Sequence, residues 1–518
     1  MILALLLIAC ILIGKFLIKS DYNSIETKSM KKLCFADVFF CVAVTVAVST
    51  FFSTFPSKNI FTATDSSVFL YIGRMMHNGS VPYKDLFDHK GIVLYFIQYI
   101  GWALTPNSYV GVFAIEMVSM FIAALYLLKT ARLFTDDLRV LYLSIFAVLI
   151  VCGYPLYEGG NLTEEYALLW ISMAVYVFNK YFIEHIYQKR EIILLGVGFG
   201  VVLLLRVNMI AVWVSFMPAV LIYFLVHRKW KNMSECAIYF AAGVAIVIVP
   251  VLFYFIYTDS LGDMIKYYWK FNLSYTESGI SLKSLYYCCT SFLKLLWIAA
   301  VAFAVSLVPC MRKREYLLNL VYTAISSALA IMSGVPYHHY AIILLPAFTI
   351  PLVHVCIFVF EWVDKCRKKV KKESAGIFNK KYMYVVLVLA CIFLVVLRCQ
   401  KEASDPDKVV VYLKNNTTEE DDVLILGNRA FYYLQSDRHT ENKFFYQTPP
   451  ININTQLYEE FLQELSDKPS DVMVVLEEKE KALGLDNNMG EVYRSLEDAC
   501  QRGMLTCEVY DGFYVYRR

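Results

Sequence analysis

Residues 62–91 carry a cluster of ionisable side chains between two apolar segments of the chain. Asp65, Asp85, Asp88, His89 and Lys90 all lie in this stretch. Charged side chains are costly beside a bilayer, so such a cluster is a candidate functional site. A carboxylate can take a proton from a hydroxyl, and neighbouring cations can stabilise a negative charge. These residue types therefore suit a reaction in which a hydroxyl attacks and an anion leaves.

Asp65 has two interpretations. It opens a predicted amphipathic helix over residues 65–79, where an N-cap aspartate satisfies free helix amides and suits the helix dipole. It also suits a general base that deprotonates an acceptor hydroxyl. The two roles are compatible, because an N-cap side chain is held rigidly at the start of its helix.

The second half of the cluster, residues 81–96, contains Tyr83, Asp88, His89 and Lys90. One interpretation is a solvated loop whose charges need no further partner. In the other, His89 and Lys90 hold a phosphate as cations and Asp88 orients one of them. Both interpretations stand on the sequence alone.

Glu164 and Glu165 precede another apolar segment, in NLTEEYALLW (161–170). Acidic residues favour the first turn of a helix, and Thr163 is placed to cap it. Alternatively, these carboxylates bind a divalent ion or acceptor hydroxyls. The candidate metal ligands in the chain are Asp65, Glu165 and His339.

A second set of candidate phosphate-binding residues lies further along the chain. Arg206 is at the tip of a short hairpin, and His338, His339 and Tyr340 follow one another at the edge of an apolar segment. A surface arginine often snorkels, and a histidine is usually structural. Histidines in pairs before a helix also serve as metal ligands or phosphate donors.

The composition indicates a polytopic membrane protein. Of 518 residues, 58% are hydrophobic and only 18% are charged, whereas soluble domains carry about 45–50% apolar and about 25% charged residues. The basic runs are short and lie between apolar stretches, so a nucleic-acid partner is not expected. Apolar segments are predicted near 2–18, 34–54, 108–128, 139–156, 166–180, 192–205, 208–226, 235–257, 284–308, 316–333, 338–360 and 382–398.

Basic clusters follow every odd-numbered apolar segment, as the HRKWK run (227–231) follows the seventh. Cytoplasmic loops collect Lys and Arg, so we expect about twelve crossings with the N-terminus outside. Residues 91–104 are too short to span and predict a re-entrant or interfacial helix. Residues 192–226 are short for two full crossings and predict two abbreviated helices.

The chain divides into two predicted domains. Residues 1–398 form the membrane domain, which includes the extracytoplasmic loop 55–107. Residues 399–518 alternate short strand-like runs, such as 422–427 and 471–476, with helix-like stretches, which predicts a small extracytoplasmic α/β domain. Cys500 and Cys507 in this domain are placed to form a disulfide or to remain free thiols.

Several of these strings together resemble a known family. They are D-x-x-x-Y-x-G…G-x-x-P-Y-x-D-x-F-D-H-K-G over 65–91, TEEYA over 163–167, the HY…P run over 339–346 and FFYQTPP over 444–450. In this combination the chain resembles the GT-C superfamily of polytopic glycosyltransferases, in the group of aminoarabinose transferases and protein O-mannosyltransferases. The resemblance covers most of the chain.

The resemblance implies an inverting transfer of a sugar from a polyprenyl-phosphate donor to an extracytoplasmic glycan, lipid or protein acceptor. Asp65 matches the family's base in the first loop, and Glu164 and Glu165 fall where a second acidic motif often occurs. Ser66 stands where some relatives carry a second acidic residue. A reaction with a divalent metal ion and one without it therefore both fit the resemblance. We expect a multi-pass protein of a bacterial cell membrane. A polysaccharide polymerase or ligase and a transporter of lipid-linked sugars are the alternatives.

Overall fold

The structure is a computed structural model that describes residues 33–56, 64–184, 186–273, 281–310, 314–332, 334–370, 380–399, 407–510 and 512–518. The predicted apolar segment 2–18 lies outside these residues. The helices of the apolar part are, in chain order, α1 (Phe35–Ser49), α2 (Thr64–His77), α3 (Ile92–Leu104), α4 (Val110–Arg132), α5 (Leu138–Phe146), α6 (Thr163–Glu184), α7 (Lys189–Leu203), α8 (Ala211–Val226), α9 (Trp230–Tyr257), α10 (Leu261–Met264), α11 (Leu282–Leu295), α12 (Trp297–Cys310), α13 (Arg314–Ile331), α14 (Leu345–Val370) and α15 (Lys380–Arg398).

The C-terminal part is a mixed helix and strand region. Its elements are α16 (Lys408–Asn416), β1 (Val423–Leu426), α17 (Phe431–Ser436), α18 (Pro450–Ile453), α19 (Thr455–Asp467), β2 (Val472–Val475), α20 (Lys479–Leu483), α21 (Asn488–Gln501), β3 (Thr506–Tyr510) and β4 (Phe513–Arg517). Short π-helical turns extend α5 and α10, over Ala147–Cys152 and Ile265–Lys270. Short 3-10 helices occupy Val207–Met209 and His338–Leu344.

Several helices have the length and composition to cross a membrane. Within the described residues these are Val110–Arg132, Thr163–Glu184, Trp230–Tyr257 and His338–Cys366, and the pair α11 and α12, bent by 87°, provides a fifth if it is one span. Every predicted apolar segment that the structure describes is helical, but 284–308, predicted as one segment, is divided between α11 and α12. The chain is therefore a multi-pass, mainly helical membrane protein, and the count of about twelve crossings stays a prediction.

The abbreviated helices expected over 192–226 are present as α7 and α8, of 15 and 16 residues. The chain turns between them through Arg206, whose backbone is extended before the 3-10 turn. The expected short helix at 91–104 is also present, as the 13-residue α3. The helix predicted to open at Asp65 begins one residue earlier, at Thr64, so Asp65 lies in its first turn.

The chain forms two compact units. The first comprises Met1–Lys58, Val112–Phe253 and Gly279–Gln400. In it α15 packs on α1 and α5, α6 packs on α7, and α8 packs on α13. Gly196 and Gly243 bring the backbones of α7 and α9 together, since a Cβ on either would meet a carbonyl oxygen of the other helix.

The second unit comprises Asn59–Gly111, Tyr254–Ser278 and Lys401–Arg518. In it α2 packs along α3, and a four-stranded sheet has the order β1-β2-β4-β3. Strands β1 and β2 are parallel, with Val423 opposite Val472, whereas β4 is antiparallel to both β2 and β3. Strands β1 and β2, which are fully buried, and β4, which is buried up to Tyr516, follow the predicted runs. The small C-terminal sheet is present as expected.

Candidate functional site

The predicted site residues fall into two groups, one in each unit. Glu164, Glu165, Arg206, His338, His339 and Tyr340 belong to the first unit, and Asp65, Tyr83, Asp88, His89 and Lys90 belong to the second. Each group is described within its own unit.

Arg206 and Glu164 form a buried ion pair in the first unit. Glu164 is the second residue of α6 and its side chain is 2% exposed, while Arg206 lies in the turn between α7 and α8. Nη1 of Arg206 donates to Oε1 of Glu164 over 2.6 Å, and Thr163 Oγ1 donates to Oε2 over 2.7 Å. The carboxylate is thus held on both oxygens, as a buried charge requires.

Tyr340 holds the other side of the same guanidinium. The centre of the Arg206 guanidinium lies 4.0 Å from the centroid of the Tyr340 ring, within the range of a cation–π contact. The Tyr340 ring in turn packs edge-on against the His339 ring, at 4.7 Å between centroids. Arg206 is therefore fixed by an anion and an aromatic face, with its side chain still 19% exposed.

Glu158 binds both histidines of the HHY sequence. Nδ1 of His339 lies 2.6 Å from Oε2 of Glu158, and Nδ1 of His338 lies 3.3 Å from Oε1. Burial opposes ionisation of Glu158, but the hydrogen bond from His339 and the charges of both histidines lower its pKa. Glu158 therefore carries a negative charge beside the two imidazoles.

Glu165 faces a carboxylate that sequence analysis passed over. Glu116 of α4 and Glu165 of α6 interact electrostatically, and both are nearly fully buried. Glu116 also accepts hydrogen bonds from Thr54 Oγ1 and from the backbone N–H of Asn161. Two carboxyl groups are therefore buried side by side in the first unit.

In the second unit, Asp88 is an anchor for its loop. Its carboxylate is 2% exposed and accepts from Tyr95 Oη at 2.8 Å, from Tyr446 Oη at 2.6 Å and from the backbone N–H of His89 at 2.7 Å. Burial opposes its ionisation, yet the side chain of His89, the charge of Lys90 and the hydrogen bond from Tyr446 lower the pKa of Asp88. The loop is thus tied to the C-terminal segment that carries Tyr446.

His89 links Asp88 to Lys90. The Lys90 ammonium lies 3.0 Å from Nε2 of His89, and Nδ1 lies 3.2 Å from Oδ1 of Asp88. Tyr83 is fully buried and donates to the Lys90 carbonyl over 2.6 Å. Lys90 is therefore held at both its backbone and its ammonium.

Asp65 lies in the first turn of α2 and is partly exposed. A carboxylate there suits the positive end of the helix and is accessible to a hydroxyl. As for the metal candidates Asp65, Glu165 and His339, no group of three or more His, Cys, Asp or Glu side chains is placed to hold a metal ion in the part of the chain that the structure describes.

Four contact residues were missing from the sequence prediction: Glu116, Glu158, Tyr95 and Tyr446. For Glu116 a signal existed, because an ionisable residue inside a predicted span is a functional candidate in itself. The same reasoning applies less strongly to Glu158, which lies in a polar turn. The tyrosines gave no signal, since tyrosine is frequent throughout this chain.

The fold of the chain is similar to that of a protein whose structure has been solved twice. It matches the crystal structure of ArnT from Cupriavidus metallidurans bound to undecaprenyl phosphate, with a TM-score of 0.59 and 12% identity, over 92% of this chain and 97% of that one. The apo structure of the same ArnT matches with a TM-score of 0.60, 12% identity and the same coverage. The ArnT-like fold implied by the family resemblance is therefore confirmed.

The sequence identifies a more specific family. Residues 26–403 match the family described as "Putative competence-induced protein Ccs4 N-terminal domain", and the chain belongs to that family. No protein of curated function matches the sequence.

Proposed function

We propose that this protein is an inverting glycosyltransferase of the bacterial cell membrane. It transfers a sugar from a polyprenyl-phosphate donor to a glycan, lipid or protein acceptor outside the cytoplasm, in biosynthesis of the cell envelope. The observation that carries this proposal is the ArnT-like fold over 92% of the chain, since one of the ArnT structures holds undecaprenyl phosphate. A fold of many spans with a small C-terminal sheet suits a donor with a long lipid tail and a polar headgroup.

Arg206 is the proposed ligand of the donor phosphate. Glu164 accepts one hydrogen bond from its guanidinium, and Tyr340 covers one face of the guanidinium plane. The planar guanidinium has further N–H groups in a fork that matches two phosphate oxygens. Its positive charge would stabilise the negative charge that develops on the leaving phosphate. His338 and His339 are further candidate donors to this group.

Asp65 is the proposed general base. Its carboxylate takes the proton of the acceptor hydroxyl, and the hydroxyl oxygen attacks the anomeric carbon as the bond from that carbon to the phosphate oxygen breaks. The phosphate leaves with the electron pair, and the configuration at the carbon inverts. A phosphate needs no acid to leave, so one carboxylate suffices, unlike the pair that glycosidases use.

One observation favours a second candidate, a transporter of lipid-linked sugars. Glu116 and Glu165 are buried carboxyls on helices long enough to span a membrane. Buried ionisable groups in spans are typical of proton or ion pathways. The polymerase or ligase alternative has no comparable support in the described residues.

The experiment is a donor panel with purified protein in detergent and a membrane extract as acceptor. Polyprenyl-phosphate sugars are compared with nucleotide sugars carrying the same sugar. We expect transfer only from the lipid donors, with release of polyprenyl phosphate and inversion at the anomeric carbon. Movement of intact lipid-linked sugar across liposomes without transfer would favour the transporter instead.

A further inference from the structure

An apolar cavity lies among α6, α7, α8 and α9 of the first unit. Its volume is about 460 Å³, and its walls include Phe178, Leu195, Leu221, Phe224 and Ala237. The volume falls in the range of ligand pockets, about 300–1,000 Å³. These walls offer apolar contact and hardly any hydrogen bonding, so the cavity suits a hydrocarbon chain.

The cavity opens along the exposed side of α8. Met217 and Leu221 both line it, yet they are 36% and 47% exposed. Beside its lining residues Leu195 and Phe240, Gly196 and Gly243 bring α7 against α9. A chain can therefore enter from the bilayer along α8 but cannot pass between α7 and α9.

Two basic linkers lie at the end of the helices that border this cavity. One joins α6 to α7 and leads into Lys189 and Arg190, and the other joins α8 to α9 and contains Arg228 and Lys229. The linkers meet at the cavity, because Tyr187 lines it and its Oη accepts a hydrogen bond from Nδ2 of Asn232 over 2.9 Å. The basic residues of both linkers therefore lie near Tyr187, at one end of the cavity.

The basic side chains of the two linkers differ in whether another side chain of the protein pairs with them. Lys189 pairs with Glu235 over 3.0 Å, and Lys229 donates to the Tyr223 hydroxyl over 3.0 Å. Arg228 and Lys231 are exposed and form no ion pair with any carboxylate that the structure describes. These two side chains are therefore available to an external anion next to the cavity.

We propose that this site binds an anionic phospholipid, with an acyl chain in the cavity and the phosphate at Arg228 and Lys231. The charge distribution predicts that these linkers face the cytoplasm, where anionic lipids attract basic residues near a membrane surface. The occupant is a bilayer lipid of the ordinary two-chain type. The site does not depend on the proposed sugar transfer.

The test is native mass spectrometry of the full chain in detergent with phosphatidylglycerol or phosphatidylcholine, which share acyl chains and differ in charge. We expect phosphatidylglycerol to bind about tenfold more tightly, because two basic side chains favour its headgroup. Arg228→Gln with Lys231→Gln removes this preference. Ala237→Phe fills the cavity and lowers the binding of both lipids.

Matched controls remove the same number of charges, or add the same side chain, at exposed positions elsewhere in this unit. They are Lys283→Gln with Lys294→Gln, and Ala304→Phe on α12; all three positions are exposed and none lines the cavity. Both controls are expected to bind like the wild type. Equal binding of the two lipids, or unchanged binding in Ala237→Phe, would overturn the proposal. Displacement of phosphatidylglycerol by equimolar undecaprenyl phosphate would assign the cavity to an isoprenoid lipid and overturn it as well.

Discussion

Nη1 of Arg206 donates a 2.6 Å hydrogen bond to Oε1 of Glu164, a carboxylate at the start of α6 that is 2% exposed. The arginine comes from a turn 42 residues further along the chain. The two charges thus depend on one another, and the pair positions the guanidinium proposed to hold the donor phosphate.

Removing one partner of this pair is expected to be costly. Arg206→Gln leaves Glu164 buried without a cation, and we expect a loss of about 3–5 kcal/mol in the free energy of unfolding. Adding Glu164→Gln removes the uncompensated charge and restores most of that loss. Unfolding is followed by intrinsic fluorescence in detergent. Additive effects of the two substitutions would contradict the coupling.

Tyr446 is expected to hold the loop that contains Asp88. Tyr446→Phe removes a 2.6 Å hydrogen bond to a buried carboxylate, and bonds to charged groups contribute about 1.5–3 kcal/mol. The unfolding free energy of the purified protein should fall by that amount.

The control for this change is Tyr458→Phe. Tyr458 also donates to a carboxylate, that of Glu491 over 2.8 Å, but at an exposed position where water replaces the bond. Its removal should have little effect. Equal losses in the two variants would show that burial of Asp88 adds nothing to the strength of its hydrogen bonds.

The lowered pKa of Asp88 predicts a dependence of stability on acid. A carboxyl whose pKa is lower in the folded chain than its ordinary value of 3.8 stabilises the fold above that value, and the stabilisation is lost as the pH falls toward the folded-state pKa. Unfolding midpoints are measured between about pH 5 and pH 2. Asp88→Asn should flatten the decline with acid, whereas the exposed Asp486→Asn should not. Identical slopes in all three proteins would exclude this role for Asp88.

The charge distribution predicts the side of the membrane on which the C-terminal part lies. Alkaline phosphatase fused after Arg518 should be active, because it folds outside the cytoplasm, and a fusion truncated after Lys231 should be inactive. Fluorescent-protein fusions at the same two points should give the reverse pattern. Activity of phosphatase at Lys231 and not at Arg518 would mean that the proposed topology is inverted.

Much of the fold follows from local patterns in the sequence. Apolar runs predict the long helices because a span must bury its backbone and offer apolar side chains along its length. Strands β1 and β2 were predicted because short apolar runs are typical of buried strands. Strand β3 was missed, since Thr506–Tyr510 is a largely exposed edge with no apolar pattern.

The candidate site was predictable only in part. Residue type and position at the membrane edge pointed to Glu164, Arg206 and His339, which the fold brings together in one unit. Their partners were harder to infer, because the contact of Asp88 with Tyr446 joins residues 358 apart in the chain. Such pairings depend on tertiary packing and leave no local pattern.

The central claim is tested most directly by sugar transfer from polyprenyl-phosphate donors, with wild type, Asp65→Asn and the exposed control Asp486→Asn compared at equal folded concentration. We predict transfer by the wild type and the control, and a loss of about 10²–10⁴-fold in Asp65→Asn, the usual contribution of a general base. Equal transfer by all three proteins would leave Asp65 without a catalytic role and direct the search to Glu164 and Glu165. Transfer from none of the lipid donors by the wild type would contradict the account itself.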